Sequence, residues 1–310
     1  MAYADREDLN YLGQLFLIGA NQTPFLNMAG GLSNNGKTYP AFTFPIAQPW
    51  SLRAADQSTA VKSEATSISD TTAITYTRAQ DTNTCQIMKY PYEVSFAKQS
   101  TFGEVAGITI GGEQNPVRDE MGFQKAAALK QMAIDTEYSF LQGTYVAQSG
   151  AATVAKTRGI IAATTTNAVA ASNAALSKTH LEGLLQAMAG NGAEFTNMVL
   201  FCNGFQKRAI SGLYGYAPES RNVGGVNVTQ IETDFAMLGV VWDPFMPTDT
   251  VLIADMSKVS PVFCPYEGQV IADVETAVTT AKKGGFFYTQ IGLDYGPEEM
   301  HGKITGLATA

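Results

Sequence analysis

Charged residues are scarce in this chain. Asp, Glu, Lys and Arg make up 15% of its 310 residues, against about a quarter in an average globular protein. Because interface cores are depleted of charge, this shortage fits a chain that buries much of its surface in an assembly. The formal net charge of -8 argues against a surface that wraps nucleic acid by neutralising phosphates. Any DNA near this protein is therefore expected to be confined without being bound tightly.

Cysteine and histidine are also rare. Three widely spaced cysteines, Cys85, Cys202 and Cys264, indicate neither a disulfide framework nor a clustered zinc site, so we expect reduced, mostly buried thiols. His180 and His301 belong to no metal-binding pattern and are expected to be surface or structural residues. The sequence shows no signal-peptide pattern and no apolar run long enough to span a membrane, so we expect folding in a cytoplasm.

A hydrophobic content of 45% is ample for a core, in one large domain or two modest ones. The strongest local signal is a long helix from about residue 116 to 142. Asn115 can cap it, Pro116 suits its first position, and Gly143 can close its last turn. Roughly 27 residues make a rod about 40 Å long. Periodicity alone leaves open whether this helix is a buried core element or an exposed structural spine.

A long polar stretch precedes that helix. Residues 53–70 are polar, small and aperiodic, which would be an unusually long loop inside a compact domain. Strand patterns flank it: a short edge strand around 42–44, and an alternation that returns at 73–76 and strengthens towards Phe96. The sequence therefore predicts a hairpin that projects from the body.

Beyond the long helix the pattern changes to mixed helix and strand. Leu181, Leu184, Leu185 and Met188 follow the i, i+3, i+4, i+7 spacing of an amphipathic helix, stopped by the Gly190-Asn191-Gly192 run. Apolar runs around it indicate a sheet flanked by helices. The predicted elements are strands at 198–202, 226–231, 236–242, 251–254, 286–291 and 303–307, and a second helix at 205–213.

One segment matches a nucleotide-binding motif letter by letter. Residues 31–38 fit G-x-x-x-x-G-K-[ST], and Asp255, at the end of an apolar run, resembles a magnesium ligand. The mechanism needs a helix that opens at the lysine and threonine, and Pro40 and Pro45 argue against that helix. We therefore predict an arm that turns into an edge strand at Lys37, and a nucleotide hydrolase is a distant alternative.

Three weaker signals also favour structural interpretations. Glu298-Glu299 predicts a solvated turn or a contact to a neighbouring subunit, because adjacent side chains diverge and do not form an acid/base pair. Gly111-Gly112 predicts a flexible joint ahead of the long helix, with anion binding at the helix start as the alternative. Lys62 is expected to be solvated and not crosslinked. We predict no catalytic, cofactor-binding or metal site, and no enzyme activity.

Several stretches, taken in order, resemble one protein family along nearly the whole chain. They are Thr23–Leu26, Lys37–Phe44, Asn83–Ser95, Gly143 with Thr157–Ile160, Glu232–Asp255, and Leu293–Leu307. The first two look like an arm that leads into an extended loop, the third like the return of that loop, and the fourth like the exit from a spine helix. With the closing segments, they resemble the major capsid proteins of tailed bacteriophages, which have the Hong Kong 97-like fold.

The resemblance implies an α+β fold in four parts: an N-terminal arm (1–45), an extended β-hairpin loop (46–90), a peripheral domain with the spine helix (91–167 and 276–310), and a mixed α/β axial domain (168–275). It implies self-assembly through hexamers and pentamers into the icosahedral head that encloses a double-stranded DNA genome. The virion would assemble in the bacterial cytoplasm, with scaffolding, portal and decoration proteins as partners, without a membrane or cofactor. The alternative is a cargo-enclosing nanocompartment shell of the same fold.

Overall fold

The computed structural model describes residues 17, 19–20, 22–32, 36–57, 59–70, 73, 75–96, 120–214, 228–277 and 280–309. Its helices are α1 (Pro24–Ala29), α2 (Glu64–Ser69), α3 (Glu120–Gln142), α4 (Ile160–Ala163), α5 (Lys178–Gly190) and α6 (Gly204–Tyr214), with a 3-10 turn at Glu298–Met300. The strands before α3 are β1 (Lys37–Thr38), β2 (Thr43–Pro45), β3 (Thr82–Thr84) and β4 (Gln86–Ser95). Those after it are β5 (Ala168–Ala170), β6 (Met198–Cys202), β7 (Gln230–Glu232), β8 (Met237–Trp242), β9 (Val251–Asp255), β10 (Ser260–Phe263), β11 (Ile271–Glu275), β12 (Lys282–Asp294) and β13 (Gly302–Thr305).

Two sheets form the body. In the five-stranded sheet, one edge of β12 pairs antiparallel with β4, while its other edge pairs with β11 and then with β10, which also pairs with β1. The six-stranded sheet has the order β5-β13-β9-β6-β8-β7. Strands β2 and β3 pair antiparallel as a separate ribbon. The body is therefore mixed α and β, as the sequence predicts.

The long helix α3 packs one face against the five-stranded sheet. Met132 is fully buried in a cluster with Tyr92 of β4 and Phe287 of β12. Elsewhere on the helix Leu129 and Tyr138 are exposed, so α3 is neither wholly a core helix nor a free rod. It ends at Gln142, as predicted, and the predicted first positions, residues 116–119, lie outside the described residues.

Helix α1 was not predicted, because six residues are too few to show a helical period. Phe25 and Leu26 bury their side chains in the core that includes Phe140, Leu141 and Phe201. The rings of Phe25 and Phe201 meet edge to face with centroids 5.2 Å apart. Part of the predicted arm is thus an integral piece of the core.

The six-stranded sheet has its own core. Strands β6 and β9 are buried along their whole length, and α5 covers them with Leu181, Leu184, Leu185 and Met188, the residues that predicted this helix. Gly302 of β13 lies so close to α5 that an added Cβ would come within 2.6 Å of the Met188 sulfur. Glycine is needed there because the strand and helix approach so closely.

Most strand predictions after α3 are confirmed, with shifted ends. Strand β6 matches 198–202, and β8 and β9 agree within one residue at each end. Strand β12 is far longer than the predicted 286–291, and β5, β10 and β11 were missed. Part of the predicted 226–231 strand lies outside the described residues. Strands β10 and β11 come from the stretch predicted as axial but pair with β12, while β13 pairs with β9 and β5.

Candidate assembly surface

The segment between β2 and β3 continues their pairing outwards as a hairpin stem. The Ile46 amide donates to the Asp81 carbonyl, and the Asp81 amide donates back to the Ala47 carbonyl, both at 2.9 Å. Further out, Trp50 bridges to Arg78. The predicted strand at 73–76 does not form in its described residues, and the ladder uses 78–84 instead.

Among the described residues, the tip of this hairpin is stabilised by local polar contacts and not by a hydrophobic core. Every described residue from 51 to 69 is exposed. Ser63 caps α2 by accepting a hydrogen bond from the Thr66 amide, and the Lys62 ammonium pairs with the Asp70 carboxylate at 2.7 Å. Local caps and ion pairs of this kind stabilise by about 1 kcal/mol or less each. In a single subunit, the conformation of the tip is therefore only weakly stabilised.

Several large apolar side chains on the tip are exposed. The exposed fraction is 83% for Ile68, 67% for Leu52 and 64% for Val61, and Trp50 and Tyr76 are also exposed. Large exposed apolar side chains on one projecting segment are suited to contact with another molecule. We call these five residues, Trp50, Leu52, Val61, Ile68 and Tyr76, the tip patch.

A buried hydrogen-bond network around Asn83 attaches the root of the hairpin, where β3 meets the body. The Asn83 side-chain nitrogen donates to the Thr157 hydroxyl at 3.0 Å and to the Leu293 carbonyl at 2.8 Å. Its oxygen accepts from the Arg158 amide at 2.8 Å and from the Thr84 amide at 2.9 Å. Asn83 thus ties β3 to β12 and to the segment after α3. The root of the hairpin is therefore held to the body by this network.

A second apolar surface lies at the β7 end of the six-stranded sheet. Met237 and Trp242 of β8 are exposed, as are Phe235 before β8 and Phe205 at the start of α6. In the described part of the chain, no strand pairs with the outer edge of β7. Exposed edges and apolar side chains are both suited to contact with another subunit.

The structure places the phosphate-loop candidates in structural roles. Lys37 and Thr38 form β1, an edge strand beside β10, as predicted. The Lys37 ammonium pairs with the buried Asp294 carboxylate. A Cβ at Gly36 would lie 2.6 Å from the Phe263 ring, so the loop is packed against the sheet. Asp255 is fully buried and accepts hydrogen bonds from Ser257 and Asn197.

The other candidate residues also bind their own chain. Glu298 lies in a half-exposed turn, as predicted, and accepts four hydrogen bonds from the amides and hydroxyls of Thr165 and Thr166. A contact of this turn to a neighbouring subunit stays a prediction. His301 is fully buried, with Nδ1 accepting from the Asp255 amide and Nε2 donating to the Tyr295 carbonyl. Burial lowers the pKa of His301.

His180 lies in the first turn of α5. The three cysteines are free, and Cys85 and Cys202 are buried. Gly111-Gly112 lies outside the described residues. No group of three metal-ligating side chains occurs among the residues described, and none of the helices seen in them is long and apolar enough to cross a membrane.

The fold is similar to that of solved shell proteins. The "Cyanophage A-1(L) capsid asymmetric unit" matches with a TM-score of 0.62 at 13% identity, covering 99% of this chain and 98% of that one. A structure of Mycobacterium phage Che8 matches with a TM-score of 0.58 at 10% identity, covering 98% of each chain. The SrpI encapsulin of Synechococcus elongatus matches with a TM-score of 0.54 at 10% identity, covering 100% of this chain and 98% of that one.

These likenesses confirm the Hong Kong 97-like fold that the sequence resemblance implies. At such low identity they show the fold alone. Among curated proteins, none matches this chain significantly. A family model described as "SU10 major capsid protein" matches residues 3–308, which is nearly the whole sequence. The chain therefore belongs to the SU10 major capsid protein family.

Proposed function

We propose that this major capsid protein assembles through hexamers and pentamers into the icosahedral head that encloses the double-stranded DNA of a tailed bacteriophage. The observation that carries the proposal is the tip patch, a set of large apolar side chains on the hairpin that the described part of the chain leaves exposed. Together with family membership, the patch favours a subunit that is completed by its neighbours. Its role is structural, without enzyme activity.

In this assembly the hairpin, residues 46–81, lies over a neighbouring subunit and buries the tip patch there. The six-stranded sheet acts as the axial part, and its β7 end meets the next copy around five- and sixfold axes. The five-stranded sheet with α3 acts as the peripheral part. Contacts between different surfaces of identical subunits close into rings when the rotation permits. Interfaces of obligate assemblies of this kind reach several thousand Å².

The interior contents follow from charge. A net charge of -8 disfavours tight phosphate binding, so the DNA is confined by the closed wall and carries no specific contacts. Scaffolding and portal proteins would set shell size and the packaging vertex, and a decoration protein could bind outside. The head would form in the bacterial cytoplasm and persist in the virion.

A nanocompartment shell is the second candidate, because the SrpI encapsulin shares the fold. Fold likeness at 10% identity does not separate the two functions, and the family match favours the capsid. The contents of purified particles distinguish them. Protected double-stranded DNA in particles from infected cells supports the head, whereas an enclosed enzyme held through a short peptide would support the nanocompartment.

The test is to image the expressed full-length protein by negative-stain electron microscopy, with a sedimentation profile. We expect shells, tubes or capsomer rings. A matched variant replaces residues 53–70 by a Gly/Ser linker of equal length, which keeps the stem and its root. This variant should remain folded by circular dichroism but form no closed particles. Normal shells from the linker variant, or a wild type that stays monomeric at all concentrations, would overturn the proposal.

A further inference from the structure

The first turn of α1 is held by a carboxyl group from another element. Glu137 of α3 accepts a hydrogen bond from the Phe25 amide at 2.8 Å with one oxygen and from the Leu26 amide at 2.6 Å with the other. Glu137 is fully buried. Because these amides have no partner within a helix, Glu137 replaces the side-chain cap that Thr23 does not provide.

A second buried carboxyl group lies against the first. Asp243 directly follows β8, is fully buried, and accepts the Phe245 amide at 2.8 Å with its Oδ1. Its carboxyl is within hydrogen-bonding reach of Glu137, yet Oδ2 finds no donor among the described residues. Two ionised carboxylates offer only acceptors. A hydrogen bond between them therefore requires a proton on one of the two.

In the part of the chain that the structure describes, the surroundings of the pair supply no compensating cation. Helix α1 has no titratable side chain, and on α3 the nearby Asp135 is bound to Tyr90 and Gln131. From β6 the Cys202 thiol faces Asp243, and its pKa is raised to about 12 by burial and by that carboxyl, although Lys207 of α6 acts in the opposite direction. Among the described residues, no cation contributes to the pKa of either carboxyl.

Burial, followed by the hydrogen bond and charge of Asp243, raises the pKa of Glu137 to about 9, against the effect of the two α1 amides. Burial also raises the pKa of Asp243. A like-charged pair removed from water keeps one proton between its members, as other carboxyl pairs do. The geometry and the titration thus indicate the same protonation state.

We propose that Glu137 and Asp243 share one buried proton that fastens α1 to α3 and to the turn after β8, and that rising pH releases α1. Without the proton, two like charges would face each other in a fully buried site. Helix α1 has six residues, whereas α3 and β8 are held within larger elements, so α1 is the part that gives way. This inference concerns a latch inside one subunit and does not depend on what the shell encloses.

The direction of the pH effect follows from linkage. When α1 opens, the carboxyls regain water and their ordinary acidic pKa, so opening releases a proton. The latch is at full strength below the ordinary carboxyl range. It weakens steadily as the pH rises and is lost above about 9, the raised pKa of Glu137. Beyond that point the closed form has no extra proton left to release.

Hydrogen exchange on the full-length protein tests this latch between pH 5.5 and 9.5, with rates corrected for intrinsic exchange. The protection factors of the Phe25 and Leu26 amides should fall with pH by up to about tenfold per unit, the slope for one released proton. In Glu137→Gln the side-chain amide can donate to Asp243 without a proton, but its nitrogen no longer accepts one of the two α1 amides. Protection should therefore fall at every pH, while the slope should disappear. Asp243→Asn should remove it in the same way.

The control is Glu182→Gln, which changes an exposed carboxyl on α5 and should keep the wild-type slope. Protection factors at Phe25 and Leu26 that stay constant with pH in the wild type would overturn the proposal, whether or not the variants fold. A slope that persists in both Glu137→Gln and Asp243→Asn would overturn it as well, because the titrating group would then lie elsewhere.

Discussion

The side-chain nitrogen of Asn83 lies 3.0 Å from the Thr157 hydroxyl oxygen, and both side chains are completely buried where the hairpin leaves the body. The Thr157 hydroxyl also accepts the Leu293 amide at 3.1 Å. One asparagine and one threonine thus join three segments that are distant in sequence. The root of the hairpin is thus held by this polar pair as well as by the apolar cluster of Phe44, Cys85 and Val262.

Asn83→Ala should lower the free energy of unfolding by about 2–4 kcal/mol, because it leaves buried amides and carbonyls without partners. Chemical denaturation measures the change. Asn27→Ala, at an exposed position of α1, is the matched control and should change stability by about 0.5 kcal/mol or less. Equal losses in the two variants would show that the buried network contributes nothing specific.

Gly143→Ala should destabilise the protein by about 1–3 kcal/mol. Gly143 does not have a positive φ. An added Cβ would instead lie 2.6 Å from the Thr157 carbonyl oxygen, beside the hydrogen bond between the Gly159 amide and the Gly143 carbonyl. Thermal unfolding checks this. Gly150→Ala, where nothing lies within 4 Å of the added atom, should be nearly neutral, and a comparable loss there would contradict the steric explanation.

Lys37→Met should cost about 1–3 kcal/mol, because it leaves the buried Asp294 carboxylate without its cation. Asp294→Asn in the same chain should recover part of that loss, since the buried charge is gone. A double-mutant cycle from urea unfolding should therefore give a coupling of about 0.5–3 kcal/mol. Neither wild type nor variant should bind ATP in equilibrium dialysis. ATP binding that depends on Lys37 would revive the nucleotide hydrolase.

Glu298→Gln should lower stability at pH 7 by about 1–3 kcal/mol, because the amide nitrogen would face donors of Thr165 and Thr166. Burial raises the pKa of Glu298, but the four hydrogen bonds outweigh burial and lower it overall. The contribution of the carboxylate is thus present above the ordinary carboxyl pKa and lost as the pH falls through the lowered one. Melting curves should converge in acid for wild type and variant. Glu299→Gln is the control.

Ile68→Ser on the tip patch should weaken assembly without unfolding the subunit. Burying an isoleucine side chain contributes about 1.5–3 kcal/mol, so each lost contact should weaken subunit association by roughly tenfold or more. Sedimentation at matched concentrations measures the shift from particles to free subunits. Gln57→Ser changes an exposed polar residue of the same tip and should assemble normally. An unchanged profile for Ile68→Ser would remove this residue from the interface.

Strongly periodic elements could be predicted from the sequence. Helix α5 shows its apolar stripe in Leu181, Leu184 and Met188, and α3 has an end signal at Gly143. The projecting hairpin also followed from composition, because residues 53–70 have too few apolar positions for a core. Helix α2 inside that stretch was not predicted, because it is stabilised by the Ser63 cap and not by an apolar face.

Other features depend on contacts that sequence spacing does not encode. Asn83 and Thr157 lie 74 residues apart, and Glu137 meets the α1 amides across more than a hundred residues. A polar residue directly after an apolar strand was the available signal for Asp243, whereas Glu137 lies among other polar residues and has no such signal. The sequence does not show which residues Glu137 and Asp243 contact in the core. The short strands β5, β10 and β11 gain their order from pairing with β12 and β13, which local propensity cannot show.

Strand β12 has a consequence for the order of events during synthesis. The hairpin root takes the Leu293 carbonyl as a partner for Asn83, 210 residues further along the chain, and β4 pairs with β12 over its whole length. Until the ribosome has made β12, the hairpin lacks both the strand that pairs with β4 and the Leu293 carbonyl that Asn83 binds. We therefore expect that a nascent chain cannot orient its tip patch for a neighbouring subunit until β12 has emerged.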